Sequence, residues 1–236
     1  MPGYYGGYGF GFDPTMVILI PAILFTVYAQ FKVSSTTSKY LRVNTQRGFT
    51  GEQVARKILD SNGLYNVTIE MVRGNLSDHY DPRKNVVRLS QDIYYGTSIT
   101  SVSVAAHECG HAIQHAKGYV ALNLRSALVP VVNFSSNISW VLIALGFIIP
   151  TMGGFLKLGI LLFSASVLFQ LVTLPVEFNA SNRAVVQLAN LGLVEGKEVR
   201  QSRQVLTAAA LTYVAAALTS VLQLLRLVAI ADRNND

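Results

Sequence analysis

The chain has 236 residues, enough for one or two ordinary domains, but its composition is not that of an ordinary soluble protein. Hydrophobic residues make up 51% of it and charged residues only 14%. Long stretches without charge therefore indicate a membrane protein. The net charge of +6 does not indicate binding to nucleic acid, because the basic residues are not clustered on one predicted helix or loop.

The chain is predicted to be a mainly α-helical integral membrane protein with about four transmembrane helices and a small α+β domain. A short N-terminal arm over residues 1–15 is rich in glycine and tyrosine. Residues 16–32 then form an apolar run with aromatic residues at its ends. Although this run is slightly short of the roughly 20 residues that span a bilayer, aromatic side chains can anchor its ends. It predicts the first transmembrane helix.

Residues 33–136 are more polar and predict a folded domain. Thr50 and Gln53 fit a capping box at the start of an amphipathic helix. Alternating residues predict strands over 67–72 and 85–90. Turn-forming residues over 81–85 predict the turn between them. A largely buried helix is predicted over 98–116. Residues 120–136 are ambiguous: they either lie on the membrane surface or lengthen the second span.

The second half of the chain returns to apolar sequence. Residues 137–175 contain a turn sequence at 150–154 and predict a transmembrane hairpin. A polar segment over 176–204 follows and is expected to return to the domain. Residues 205–230 predict the fourth transmembrane helix, and residues 231–236 form a tail.

The sequence AAHECGHAIQH, residues 105–115, carries the clearest functional pattern. His107 and His111 are four residues apart, so on a helix they differ by about 40° of rotation and about 6 Å of rise. Both rings can then bind one metal ion, and Glu108 beside them can take a proton from a metal-bound water. The pattern predicts one Zn²⁺ per chain, with Glu108 as the catalytic base. The alternative without a metal is a helix whose histidines pair with neighbouring acidic residues.

Two neighbours of the motif are not expected to bind the metal. His115 lies about 12 Å of rise beyond His107 on a continuous helix, whereas a Zn–N bond is about 2.1 Å long. His115 is therefore expected beside the site, at an interface or on the substrate side. Cys109 points about 160° away from the two histidines, which indicates packing. Gly110 is expected to permit the close approach of another helix.

The third ligand must come from elsewhere, and acids are scarce after Glu108. Glu177 lies at the end of the hairpin, where an unpaired carboxylate beside a bilayer is expensive and needs a partner or a function. Ligands of one metal must lie on one side of the membrane, and the two crossings of the hairpin satisfy this condition. Glu195 and Glu198 satisfy it too, but they lie in a polar, solvated stretch. Glu177 is the preferred third ligand.

With these motifs, the chain resembles the YugP-type family of membrane zinc metallopeptidases. More distantly it resembles the HtpX and CAAX-processing membrane proteases, which are similar to gluzincins. The resemblance is carried by LSDHYDPR, VAAHECGHAIQH and PVEFNASNRA, at residues 76–83, 104–115 and 175–184. It implies His107, His111 and Glu177 as zinc ligands and Glu108 as general base. It also implies an integral protein of a prokaryotic plasma membrane.

The resemblance leaves the residues around the metal open. In the HtpX-like pattern an aspartate occupies the position of Ser181, so Ser181, Asn182 or another acid is a candidate to support a ligand histidine. His115 is a further candidate beside the ligands. Candidates for contact with the substrate or for stabilising an oxyanion are His79, Tyr80 and Arg183. The strand over 85–90 is a candidate to pair with an extended peptide.

Basic residues also predict the orientation of the chain. The N-terminal arm has no lysine or arginine, whereas the segment after the first span has many: Lys39, Arg42, Arg47, Arg56, Lys57, Arg73, Arg83, Lys84 and Arg88. The positive-inside rule therefore places the small domain and its site in the cytoplasm.

The predicted function is a membrane zinc endopeptidase that acts on a protein or peptide substrate beside the lipid bilayer, with no nucleic-acid partner. The competing class is a non-enzymatic membrane scaffold or chaperone with a structural zinc. A transporter is disfavoured, because the spans contain almost no ionisable residues.

Overall fold

The computed structural model describes residues 14–74, 77–149 and 153–233. Most of the predicted N-terminal arm, the turn residues 150–152 and the last three tail residues lie outside these ranges. Leu76, which opens the first of the three family motifs, lies outside them as well.

Seven α-helices and three strands follow in chain order within the described residues, after a 3-10 helix at Pro14–Leu19. The helices are α1 Ile20–Leu41, α2 Gly51–Ser61, α3 Gln91–Tyr94, α4 Ile99–Ala116, α5 Val120–Ile148, α6 Gly153–Asn190 and α7 Lys197–Arg233. The strands are β1 Thr68–Val72, β2 His79–Asp81 and β3 Val86–Ser90. Four helical stretches of the described residues are long and apolar enough to cross a membrane. They correspond to α1 together with the 3-10 helix before it, α5, α6 and α7. The prediction of a mainly helical membrane protein with a small α+β region is confirmed.

The small domain packs α2 and a three-stranded sheet against α4. The capping box at α2 is present, with Thr50 Oγ1 accepting from the Gln53 amide and Gln53 Oε1 accepting from the Thr50 amide. The strand order is β1-β3-β2, with β1 parallel and β2 antiparallel to β3. The buried core joins side chains of α2, β3 and α4 to Ala184, Val185 and Leu188 of α6. The domain is thus built partly on a membrane helix.

The sheet corrects two expectations. β3, over the segment predicted to accept an extended peptide, is the central strand and is paired on both edges, so that prediction is wrong. Residues His79–Asp81 form a strand. The sequence does not predict it, because these three residues show no alternating pattern. A peptide that extends this sheet can do so only beside β1 or β2, because these are its edge strands.

The membrane helices extend well beyond the apolar runs that predicted them. α6 has 38 residues, or about 57 Å, whereas a bilayer core is about 30 Å thick. α1 ends at Leu41 instead of residue 32, and α7 begins at Lys197 instead of residue 205. The ambiguous residues 120–136 belong to α5, which is the second helix long and apolar enough to cross a membrane. Beyond its apolar run, α6 contributes Ala184, Val185 and Leu188 to the core of the small domain, and α7 contributes Leu206.

Small residues let the hairpin helices α5 and α6 approach closely. A Cβ added at Gly146 would lie 2.6 Å from the Leu156 amide nitrogen. One added at Gly159 would lie 2.9 Å from the Ser139 carbonyl oxygen. Close backbone contacts of this kind hold membrane helices together, because lipid tails leave little hydrophobic driving force between them.

A close contact between the small domain and the hairpin lies at Gly110 of α4. A Cβ added there would lie 2.6 Å from the carbonyl oxygen of Ala180, on α6. That distance is too short for a real contact, so the backbones of α4 and α6 can meet only where α4 carries glycine. The expectation that Gly110 permits a close helix crossing agrees with this geometry.

We predict that Gly110→Ala destabilises the fold by about 1–3 kcal/mol, because the new methyl group would force α4 and α6 apart. Helix propensity alone would act in the opposite direction, by about 1 kcal/mol. The matched control is Gly154→Ala on α6, where an added Cβ meets no atom of the described residues within 4 Å. Thermal unfolding in detergent measures both variants. Equal melting temperatures for the two would contradict the crossing.

Candidate active site

Helix α4 presents the motif from inside the core. Its N-terminus is capped by Ser98, whose hydroxyl oxygen accepts from the Ser101 amide at 3.0 Å. Most of its side chains are buried, and the helix continues without a break from Ile99 to Ala116. His107 and His111 are therefore held on one face with the spacing that an α-helix dictates, and that face meets α6.

The two histidines converge on a carboxylate from α6. His107 Nε2 lies 3.2 Å from Glu177 Oε2, and His111 Nε2 lies 3.6 Å from the same oxygen. The possible ligand atoms of the three residues all lie within 4.8 Å of one another. Glu177 is only 2% exposed, so its charge needs partners. Two imidazoles and one carboxylate are a donor set typical of catalytic zinc.

The other ring nitrogen of each histidine has a partner of its own. His107 Nδ1 lies 3.2 Å from the Ser181 hydroxyl, one turn beyond Glu177 on α6. His111 Nδ1 lies 3.0 Å from Gln114 Oε1. Both Nε2 atoms are thereby left to face Glu177. Histidine ligands of metals usually have such a partner on the second nitrogen, which fixes the ring orientation.

Gln114 also fixes which nitrogen of His111 carries the proton. Its Nε2 donates to the Val176 carbonyl oxygen at 2.8 Å and to Asn179 Oδ1 at 3.0 Å. Because these donations hold the amide in one orientation, its oxygen must face His111 and accept from Nδ1–H. The lone pair of His111 is then on Nε2. Sequence reasoning missed Gln114, although its i+3 spacing from His111 is a usable signal.

Two further residues surround Glu177 and were also missed. Arg125 of α5 has Nη1 at 3.9 Å from Glu177 Oε1, the oxygen that faces away from the histidines. Its guanidinium lies 6.0 Å from the centre of the Phe169 ring. Tyr213 of α7 interacts with the same carboxylate. A signal for Arg125 exists, since it is the only charge in α5 and a lone charge beside a bilayer needs a partner.

The charges of Glu108 and Glu177 affect the pKa of His111. Burial lowers the pKa of His111, but the hydrogen bond that its protonated ring donates to Glu177 and the charges of Glu108 and Glu177 raise it more. The net shift is upward. Protons and a metal ion compete for the same ring nitrogen, so metal affinity in such a site falls as pH is lowered. Glu108 is 8% exposed and close enough for its charge to act on His111.

His115 lies apart from the cluster of possible metal ligands, His107, His111 and Glu177. It is exposed, and its Nδ1 lies 2.9 Å from the hydroxyl of Tyr80 on β2. The same hydroxyl donates to Asn85 Oδ1 at 3.2 Å. Burial and the neighbouring charge of Asp81 raise the pKa of Tyr80, so its hydroxyl keeps its proton. This pair joins edge strand β2 to the motif helix.

Other candidates from the sequence have different neighbours. The ring of His79 contacts the Ser77 carbonyl oxygen at 2.7 Å and Arg88 at 3.4 Å. Arg183 donates to Asn179 Oδ1 at 2.7 Å, one turn away on α6. Asn182 is exposed and lines a small groove between α6 and α7. Any role of these residues toward a substrate stays a prediction.

The two alternative acids have other partners. Glu195 forms an exposed ion pair with Arg47, whose Nε donates to it at 3.0 Å. Glu198 is buried and accepts from the backbone amides of Gln46 and Glu195, at 2.8 Å and 3.2 Å. Both carboxylates hold the start of α7 against neighbouring loops.

Cys109 faces the domain core. It is fully buried, and its thiol lies 3.6 Å from the Ala55 carbonyl oxygen on α2. Burial is the main cause of a strongly raised pKa for the thiol, and the Glu108 charge adds to it. The thiolate, which is the form that binds metals and reacts with electrophiles, is therefore suppressed.

We predict that Cys109 resists maleimide and iodoacetamide in the folded protein at neutral pH. The buried thiol is accessible neither to the reagent nor to a base that would deprotonate it. After denaturation the same thiol should react fully. The chain has one cysteine, so mass spectrometry of the intact protein reports this site alone. Rapid labelling of the folded protein would contradict the assignment of Cys109 to the core.

Comparisons with known proteins identify the family of the chain. The sequence profile of the family described as "Putative neutral zinc metallopeptidase" matches residues 15–232. A protein of Bacillus subtilis (strain 168) named "Putative membrane protease YugP" is 52% identical over 219 residues, which are 93% of this chain and 97% of that protein. No solved structure matches the chain. The chain therefore belongs to the family of neutral zinc metallopeptidases that this profile defines.

Proposed function

We propose that the protein is a membrane-anchored zinc-dependent endopeptidase. His107, His111 and Glu177 would hold one Zn²⁺ per chain, and Glu108 would be the general base. The observation that carries the proposal is the convergence of two Nε2 atoms from α4 and one carboxylate oxygen from α6. The family and the membrane protease from Bacillus subtilis support the same reaction class.

The donor set fits zinc on chemical grounds. Two neutral imidazoles and one carboxylate match the preference of Zn²⁺ for nitrogen and oxygen ligands, and three ligands leave a position open for catalysis. Zinc bound there would lower the pKa of a water molecule and polarise a peptide carbonyl. The partners on His107 Nδ1 and His111 Nδ1 keep both Nε2 atoms available.

Glu108 is placed to move protons during hydrolysis. It follows His107 directly on α4, and its charge acts on His111 and Tyr213. Its carboxylate accepts a proton from the attacking water and returns that proton to the leaving amine.

Edge strand β2 is the proposed place for an extended peptide substrate. Its outer edge is not used by β3, and the Tyr80–His115 hydrogen bond holds it alongside α4. A peptide that adds to this edge would gain backbone hydrogen bonds for affinity. His79 and Tyr80, which belong to this strand, are the residues proposed to contact it.

The site is proposed to face the cytoplasm. The ends of α1 and α7 that project toward the small domain carry Lys39, Arg200 and Arg203. Positive residues of this kind are concentrated on the cytoplasmic side of membrane proteins. Peptide-bond hydrolysis would then occur close to the inner surface of the plasma membrane.

A structural zinc in a non-enzymatic scaffold is the competing function. Closed structural sites use four protein ligands, whereas the cluster found among the described residues has three. A structural site would also have no use for a buried glutamate directly beside the ligands. Both observations favour the enzyme.

We predict that Glu108→Gln lowers peptide hydrolysis about 100- to 10,000-fold, because it removes the proton acceptor. Zinc content should remain one ion per chain, since the ligands are untouched. Glu177→Gln should lose both zinc and hydrolysis, and Glu52→Gln on α2 serves as the matched control. Cleavage of fluorescent casein and zinc content by elemental analysis are the measurements. Wild-type cleavage rates for Glu108→Gln would refute the general base.

We predict that Gln114→Leu weakens zinc binding about 10- to 100-fold, because His111 loses the partner that orients its ring. Gln114→Glu keeps an acceptor for Nδ1–H but loses the donors to Val176 and Asn179, so its effect should be smaller. Competition with a zinc-binding dye gives the affinities. Unchanged affinity for the leucine variant would show that Gln114 only fills space.

A further inference from the structure

A basic groove of about 550 Å³ lies between α1 and α7, outside the proposed active site. Lys32 and Lys39 line it from α1, and Arg200 and Arg203 line it from α7. Its lining contains four cations and, within the described part of the chain, no acidic side chain. Neighbouring cations without a counter-ion repel one another, so the groove attracts an anion.

The two helices run in opposite directions where they form the groove. The Tyr40 hydroxyl of α1 donates to Gln204 Oε1 of α7 near one end. Toward the other end, Thr26 Oγ1 lies 3.4 Å from Thr219 Oγ1. These pairings place the C-terminal end of α1 beside the N-terminal end of α7. The basic ends of both helices therefore lie on the same side of the membrane.

Helical spacing aims the four cations into one space. Lys32 and Lys39 are seven residues apart, so they lie on one face of α1 with about 10 Å of rise between them. Arg200 and Arg203 are three residues apart and share a face of α7. All four side chains are exposed. None forms an ion pair with an acidic residue in the ranges that the structure describes.

The remaining lining changes from polar to apolar along the groove. The hydroxyls of Ser35 and Thr36 lie among the cations, and Leu211 lies deeper along α7. Residues 14–31 carry no charge, and Lys32 directly follows them on α1. Residues 204–225 of α7 carry no charge either, and Arg203 directly precedes them. The groove therefore lies at the border between the apolar spans and the basic helix ends.

We propose that this groove binds the headgroup of an anionic phospholipid. The phosphodiester would lie among the four cations and the two hydroxyls, and the acyl chains would follow the apolar faces of α1 and α7. A free phosphate shares the anionic chemistry but gains nothing from Leu211 and the apolar faces. A lipid is also already present in the bilayer beside these helices, where basic clusters attract anionic headgroups.

The test uses the full-length protein in a neutral detergent, titrated with dioctanoyl-phosphatidylglycerol. The melting temperature should rise with lipid concentration and give a dissociation constant. The variants Lys32→Gln/Lys39→Gln and Arg200→Gln/Arg203→Gln should each weaken binding about 30-fold, because each loses two cations near the headgroup. The matched control is Arg83→Gln/Lys84→Gln, which removes two exposed cations from the turn after β2.

The outcomes separate a specific site from general attraction. Retained binding in the control, together with loss in both groove variants and no response to dioctanoyl-phosphatidylcholine, supports the proposal. Equal weakening in the control, or unchanged binding in the groove variants, overturns it. An equal response to inorganic phosphate overturns the lipid as ligand. If a double variant melts lower without lipid, Lys39→Gln and Arg200→Gln replace it as single substitutions.

Discussion

The approach of α4 to α6 at Gly110 is the contact on which the other features depend. With no side chain at this position, the Ala180 carbonyl oxygen lies where a Cβ would otherwise be, at 2.6 Å. Glu177 precedes Ala180 by three residues, almost one helical turn. The contact that joins the small domain to the membrane hairpin therefore also holds the carboxylate against His107 and His111. Helix packing and site geometry are one constraint in this protein.

Polar groups at the same crossing share partners, which fixes its register. Gln114 contacts His111, the Val176 carbonyl oxygen and Asn179, and Asn179 in turn accepts from Arg183. Gln114 is fully buried, and a buried polar group that loses its partner costs about 1–3 kcal/mol. A shift of α6 along α4 by one residue would break several of these bonds together. The network thus specifies one arrangement of the two helices where apolar packing alone would permit others.

Local patterns predicted the features that depend on helical geometry and hydropathy. The continuity of α4, the position of His115 away from the cluster and the four spans follow from such patterns. Glu177 follows from the cost of an unpaired carboxylate beside a bilayer, because the count of membrane crossings admits Glu195 and Glu198 as well. The length of α5, α6 and α7 was not predictable from hydropathy, because a helix that leaves the bilayer becomes polar without ending. Strand β2 is too short for an alternating pattern. Arg125 reaches Glu177 only through the packing of α5 on α6, which no local pattern shows.

The separation of the three converging side chains along the chain has a thermodynamic consequence. His111 and Glu177 are 66 residues apart, and α5 and the larger part of α6 lie between them. An ion held by these residues would close a loop of that length and would bind the folded chain only. Cross-links that close long loops remove much of the conformational freedom of the unfolded chain. At a free zinc concentration 100 times the dissociation constant, this linkage adds about 2.7 kcal/mol to the free energy of unfolding. Zinc would then link the small domain to membrane helix α6, and the lifetime of the protein would follow the supply of the metal.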